Sequence, residues 1–119
     1  MGRQNLERGR YGEDLAVWHL ERMGLTVVSR NWRCRIGEID IVAMDDDAVV
    51  VCEVKTRRTE DFGSPLAAVT PRKLRRLRAL AREWLHMEDQ HAREVRIDVI
   101  GILHNPPSAP TLEHLRGVG

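Results

Sequence analysis

The sequence predicts an α/β protein built on a mixed β-sheet flanked by helices, and three observations carry that expectation. Its 119 residues suit a single hydrophobic core, which typically serves roughly 100–150 residues. A composition of 42% hydrophobic and 31% charged residues belongs to a folded globular chain rather than a disordered one. Hydrophobic spacing switches between helical and strand periods in the order helix, three strands, helix, strand.

The first helix runs from about Leu6 to Met23 and stops at Gly24, a C-terminal cap. Ala16, Leu20 and Met23 form its inward stripe, and Glu13 lies on the same stripe. Leu25 to Trp32 is a strand rich in Val and Thr. Ile36 to Met44 and Ala48 to Thr56 are two more, joined by the turn Asp45-Asp46-Asp47. A second helix spans about Pro71 to Met87, with Thr70 as N-cap and Pro71 in the first turn. It buries Leu74, Leu77, Ala81 and Trp84 and turns Arg72, Lys73, Arg75, Arg76 and Arg82 to water. Val95 to Leu103 is a further apolar strand. Asn105 to Pro110, with three prolines, is an irregular connection before a short edge strand at Thr111 to Arg116. Consecutive strands with tight turns run antiparallel, whereas the strand, helix, strand passage from 48 to 103 calls for a parallel crossover. The reading is one domain over 1–119, its core over about 6–103, with both helices covering the apolar faces of the sheet.

Several function classes fall away. The longest apolar run is the five residues Ala48 to Cys52, against the ~20 that a spanning helix needs. Met1 to Arg10 carries three Arg and no apolar segment, unlike a secretory signal, so a cytoplasmic, reduced setting is expected for Cys34 and Cys52. The histidines show no HxH or HExxH spacing for zinc. No Walker loop, GxGxxG or GxSxG is present. Trp18, Trp32 and Trp84 read as packing residues rather than base-stacking platforms, and Asp98 as a structural acid paired with an arginine.

The near-neutral balance of 19 basic and 18 acidic residues hides a division. Residues 36–53 hold six acids and no base, while 54–82 hold nine bases against Glu60 and Asp61. An acidic cluster beside a basic one suits a bound cation next to a polyanion. Solvated faces are the ordinary alternative for any one charge run.

The hairpin sharpens the point. With a two-residue loop at Asp46-Asp47, Met44 faces Val49 and Asp40 faces Glu53. Cβ atoms across such a pair lie ~4.5–5.5 Å apart, so one divalent cation can bridge both carboxylates. Lys55, two residues beyond Glu53, points to the same face about 7 Å along the strand. Ile39, Ile41, Val50, Cys52 and Val54 form the opposite, apolar face, and Glu13 adds a third acid if helix one covers the polar face. Mg²⁺ or Mn²⁺ held by Asp40, Glu53 and Glu13 would suit phosphodiester cleavage, with Lys55 orienting water or balancing charge. Arg57, Arg58, Arg72, Lys73, Arg75 and Arg76 would hold flanking phosphates.

The stretches GRYGEDLAVWHLERMGL at Gly9–Leu25 and GEIDIVAMDDDAVVVCEVKTR at Gly37–Arg57, with FGSP at 62–65 and RIDVIGI at 96–102, resemble the YraN-like family of small bacterial proteins. The D…ExK signature is similar to that of the PD-(D/E)xK nuclease superfamily, with Ile39 where the name has Pro. That resemblance implies the restriction-endonuclease-like αβββαβ core also found in archaeal Holliday junction resolvases. It further implies Asp40 and Glu53 as metal ligands, Lys55 as catalytic lysine and Glu13 as the helix-borne acid.

The expectation is an Mg²⁺-dependent nuclease-like protein acting on DNA, with branched or recombination intermediates as the resolvase-type substrates. The main alternative is a binding module that keeps the fold and the basic helix without cleaving. A third is an interaction protein whose basic helix meets an acidic partner. Symmetric junction cutting would require a homodimer, though no heptad or apolar interface stripe is legible.

Overall fold

Two stretches rich in valine and isoleucine, separated by a polar turn, form the central hairpin of the sheet. In the computed structural model, which describes residues 3–59 and 63–119, β1 spans Thr26–Cys34, β2 Gly37–Asp45 and β3 Ala48–Arg57. Glu60, Asp61 and Phe62, which enter the charge pattern and the FGSP motif, lie outside the described residues. β2 and β3 pair antiparallel from Ile41–Cys52 to Asp45–Ala48, the register that an Asp46-Asp47 loop dictates. Asp46 takes a positive φ of 53°, a conformation aspartate tolerates better than most residues.

α1 (Arg3–Arg22) precedes the sheet, and α2 (Pro71–Met87) leads into β4 (Glu94–Leu103), which lies parallel to β3. β5 (Thr111–Leu115) pairs antiparallel with β4, completing the order β1-β2-β3-β4-β5. This mixed sheet with an antiparallel hairpin and a parallel crossover is the restriction-endonuclease-like arrangement. Element ends differ from the sequence expectation by a few residues, and a short 3-10 helix at Pro65–Ala68 is additional. Thr70 caps α2 as expected, its hydroxyl accepting the Lys73 amide at 3.1 Å.

Burial is two-sided. Ile41, Ala43, Val50 and Cys52 pack with Ala16 and Leu20 of α1, while Val42, Val49 and Val51 pack with Leu77, Leu80, Ala81 and Trp84 of α2. The face that carries Glu53 is therefore not a polar face covered by α1, as the hairpin argument allowed. It is an apolar face covered by α2, with charges confined to one end, and α1 lies on the other side. Gly12 permits that approach, since a Cβ there would stand 1.9 Å from Thr56 Oγ1. Met23 lies past the end of α1 and is exposed instead of buried. Trp84 is buried, but Trp18 is 58% exposed with the Arg22 guanidinium 4.7 Å above its ring, so it is not a packing residue of the core.

Asp98 has the structural role expected of it. Fully buried in β4, it accepts Arg96 Nε at 3.0 Å, Arg96 Nη2 at 3.1 Å and the Gly117 amide at 3.0 Å, and meets His114 Nε2 at 2.8 Å. Burial would raise its pKa, but His114, Arg96 and Gly117 together lower it to about 2. His114 continues to His19 of α1 at 3.0 Å, tying the edge strand to the first helix. No helix among the described residues is long and apolar enough to cross a membrane.

Candidate active site

Alternation along β2 breaks at Asp40. Ile39 joins the α2-side core whereas Ile41 joins the α1-side core, and regular pairing with β3 ends at Ile41–Cys52. Asp40 and Glu53 thus stand one step beyond the last paired rung, and their side chains still meet. Ile39 consequently does not share the face of Ile41, as strict alternation requires.

Asp40 Oδ2 accepts the Val54 amide at 2.9 Å, and the carboxyl group is hydrogen-bonded to Glu53. Burial first, then contact with Glu53, pushes the Asp40 pKa from 3.8 to about 7, with the Val54 amide opposing and Glu13 adding repulsion. Lys55 follows Glu53 by two residues on the same face and is half-buried. Burial holds its ammonium below the ordinary value; Glu53 opposes that shift and Lys73 reinforces it.

The basic helix is not uniformly a phosphate-binding face. Lys73 forms an ion pair with Glu53 at 2.5 Å, and against the pull of burial that carboxylate raises the Lys73 pKa. Arg72, Arg75 and Arg76 are exposed, and Arg72 and Arg76 rim a cavity of about 340 Å³ into which Asp40, Glu53 and Lys73 face. Arg58 is exposed just beyond β3, and Arg57 is half-buried at its end.

Glu13 stands apart from the pair. Its Oε1 accepts Arg30 Nε at 3.1 Å, Arg30 Nη2 at 3.0 Å and Asn31 Nδ2 at 2.9 Å. Among the described residues no three His, Cys, Asp or Glu side chains are grouped to hold a metal ion. Asp40, Glu53 and Lys55 therefore come together, while Glu13 reaches them through its field from the α1 side.

Sequence reasoning missed Lys73 as a partner of the acidic pair. A signal was present: Arg72 and Lys73 occupy the first turn of α2, where the helix dipole disfavours cations, and no acid shares that turn. A lysine tolerated there implies an acid waiting for it.

The donor set fits a hard divalent cation. Two facing carboxyl groups, one raised far enough to hold a proton near neutrality, form a site where a cation could replace that proton. Mg²⁺ is commonly bound by one or two carboxylates, completed by waters and substrate phosphates, so two protein ligands suffice.

Fold and site together define the class: an α/β protein with a restriction-endonuclease-like core, carrying a contacting acid pair, two lysines and an arginine rim at the hairpin's end. Comparison with known proteins narrows it. The profile described as "Uncharacterised protein family UPF0102" matches residues 12–102, which include all of this constellation. A UPF0102 protein of Acidothermus cellulolyticus is 52% identical, covering 92% of this chain and 90% of its own length. That of Streptomyces griseus is 56% identical over 92% and 93%, and that of Beutenbergia cavernae 56% over 93% and 94%. The chain belongs to the uncharacterised protein family UPF0102, in keeping with its YraN-like resemblance.

Proposed function

We propose that the protein is a divalent-metal-dependent nuclease hydrolysing DNA phosphodiester bonds, with Asp40 and Glu53 as metal ligands and Lys55 as the catalytic lysine. The observation that carries this reading is the contact between two partly buried carboxyl groups with an amine two residues away. Like charges so placed are costly unless a proton or cation lies between them. Bound Mg²⁺ or Mn²⁺ would polarise the scissile phosphate and acidify a water. The Val54 amide fixes the Asp40 carboxyl, and the Lys55 amine, eased toward its neutral form by burial, is suited to orient water or meet developing negative charge. Arg72, Arg76 and Arg58 supply sequence-independent phosphate contacts. Glu13 enters as a charge that tunes Asp40 rather than as a ligand. The D…ExK resemblance supports the assignment and makes branched DNA, cut by a homodimer, the resolvase-type form of it.

The second reading is a non-catalytic DNA-binding module, favoured by the Lys73–Glu53 ion pair, which already occupies one of the two acids. Incubation with linear, flapped and four-way DNA, with and without Mg²⁺ or Mn²⁺, separates the two. The nuclease should give metal-dependent products that Asp40→Ala and Lys55→Ala abolish while affinity persists. Salt-sensitive binding without products on any substrate would establish the binding module instead.

A further inference from the structure

A second cavity, of about 600 Å³, lies immediately beyond Lys55 and is larger than the one holding the acid pair. Its floor consists of two cross-strand rows at the end of the sheet. Lys55 of β3 pairs with Gly101 of β4, which pairs with Glu113 of β5; the next row is Arg57, Leu103 and Thr111. Residues paired across a sheet share a face, so both rows lie on the α2 side, the side of Glu53. Ser64 and Pro65 make the wall. Gly101 is required there, because a Cβ would come within 2.0 Å of Pro65 Cγ.

The chemistry of the cavity is graded. Its two cations sit on β3; Pro65, packed over Gly101, and Leu103 are apolar; Thr111 and Glu113 offer a hydroxyl and a carboxylate at the far edge. A nucleotide has the same polarity: an anionic phosphate, a flat apolar body and a hydrogen-bonding base edge. The volume falls within the roughly 300–1,000 Å³ of small-molecule sites. Lys55 and Arg57 are two residues apart, ~7 Å at ~3.3 Å per residue, so a strand engaged at the acid pair continues into the cavity. A base still stacked in duplex could enter only by unstacking, at a cost of a few kcal/mol.

We propose that this cavity receives a single unpaired nucleotide of the DNA strand held at Asp40, Glu53 and Lys55. The protein thereby selects DNA in which a base next to the engaged phosphate is already unpaired. The inference deepens the proposed function and rests on its reading that the acid pair engages a DNA strand.

The test measures binding rather than cleavage. Fluorescence anisotropy in EDTA compares a blunt duplex with the same duplex ending in a fork of unpaired nucleotides. The wild-type protein should prefer the forked form by about ten-fold, a modest gain for one sequestered base. Thr111→Trp, from the exposed edge strand, and Ser64→Trp, from the opposite wall, fill the cavity from different elements. The one that folds, judged by circular dichroism, should bring the fork-to-blunt ratio toward one. Equal wild-type affinities, or a preference surviving a folded Trp variant, overturn the inference. Metal-dependent cutting with a ratio of one would leave the nuclease reading standing alone. A cavity-dependent preference without cutting would retain the pocket and remove the nuclease.

Discussion

Replacing Asp40 by asparagine should stabilise the protein above neutral pH in metal-free buffer, although it removes a residue assigned to the active site. Asn keeps an oxygen to accept the Val54 amide, so the local hydrogen bond at 2.9 Å survives. What disappears is the cost of ionising a partly buried acid against Glu53. The folded pKa, about 7, exceeds the ordinary 3.8, so the folded state holds its proton longer than the unfolded chain. Stability is therefore undiminished below about pH 4, falls as pH rises from there toward 7, and stays reduced beyond. The shift corresponds to at most ~4 kcal/mol, and residual solvent contact and coupling to Glu53 reduce this to ~1–2 kcal/mol. For a chain of this size that is a gain of roughly 4–8 °C in Tm at pH 8, with almost none at pH 4. Thermal unfolding followed by circular dichroism at both pH values, in EDTA, measures it. Mg²⁺ or Mn²⁺ at pH 8 should then raise the wild-type Tm but not that of Asp40→Asn. If the variant is no more stable than wild type at pH 8, the acid pair is not electrostatically strained and the case for a cation there fails.

Asp98→Ala should cost ~2–4 kcal/mol in urea unfolding, because it leaves the Gly117 amide and His114 without their acceptor and the largely buried Arg96 guanidinium with Asp45, at 2.8 Å, as its remaining carboxylate partner. Since the folded Asp98 pKa of about 2 lies below 3.8, the charged part of its stabilisation is present above pH 4 and lost as pH falls toward 2; the gap between wild type and variant should narrow there by up to ~2 kcal/mol. Gly12→Ala should destabilise by ~1–3 kcal/mol, and Thr56→Ala in the same chain should recover part of the loss by removing the Oγ1 that a Cβ would strike; no recovery would mean α1 is displaced by something else. Arg72→Gln and Arg76→Gln should each flatten the slope of log affinity against log salt by about 1 on any DNA sequence, and an unchanged slope would take these two residues off the phosphate path.

The parts of the site legible in the sequence are those that depend on a single short turn. A two-residue loop determines which residues face each other along a hairpin, and the same arithmetic that pairs Met44 with Val49 carries Asp40 to Glu53. What period-2 reasoning could not supply is which helix covers which face, because both faces of β2 and β3 are apolar beyond their charged end. The uninterrupted run Ala48–Cys52 was the clue: an unbroken apolar strand is buried on two sides, so no polar face was open for α1. The run says that both faces are covered, not by which helix; α2 takes the side of Val49, Val51 and Glu53, and brings the Lys73 ion pair with it. The break at Ile39–Asp40 was hidden for a different reason. It arises where β2 and β3 diverge and the Asp40 carboxyl takes the Val54 amide, and no local residue pattern announces a side chain replacing a ladder bond. Irregularity and charge thus coincide at one point of the sheet. The regular ladder exposes no backbone amide there to hold an acid, and the divergence of the strands supplies one.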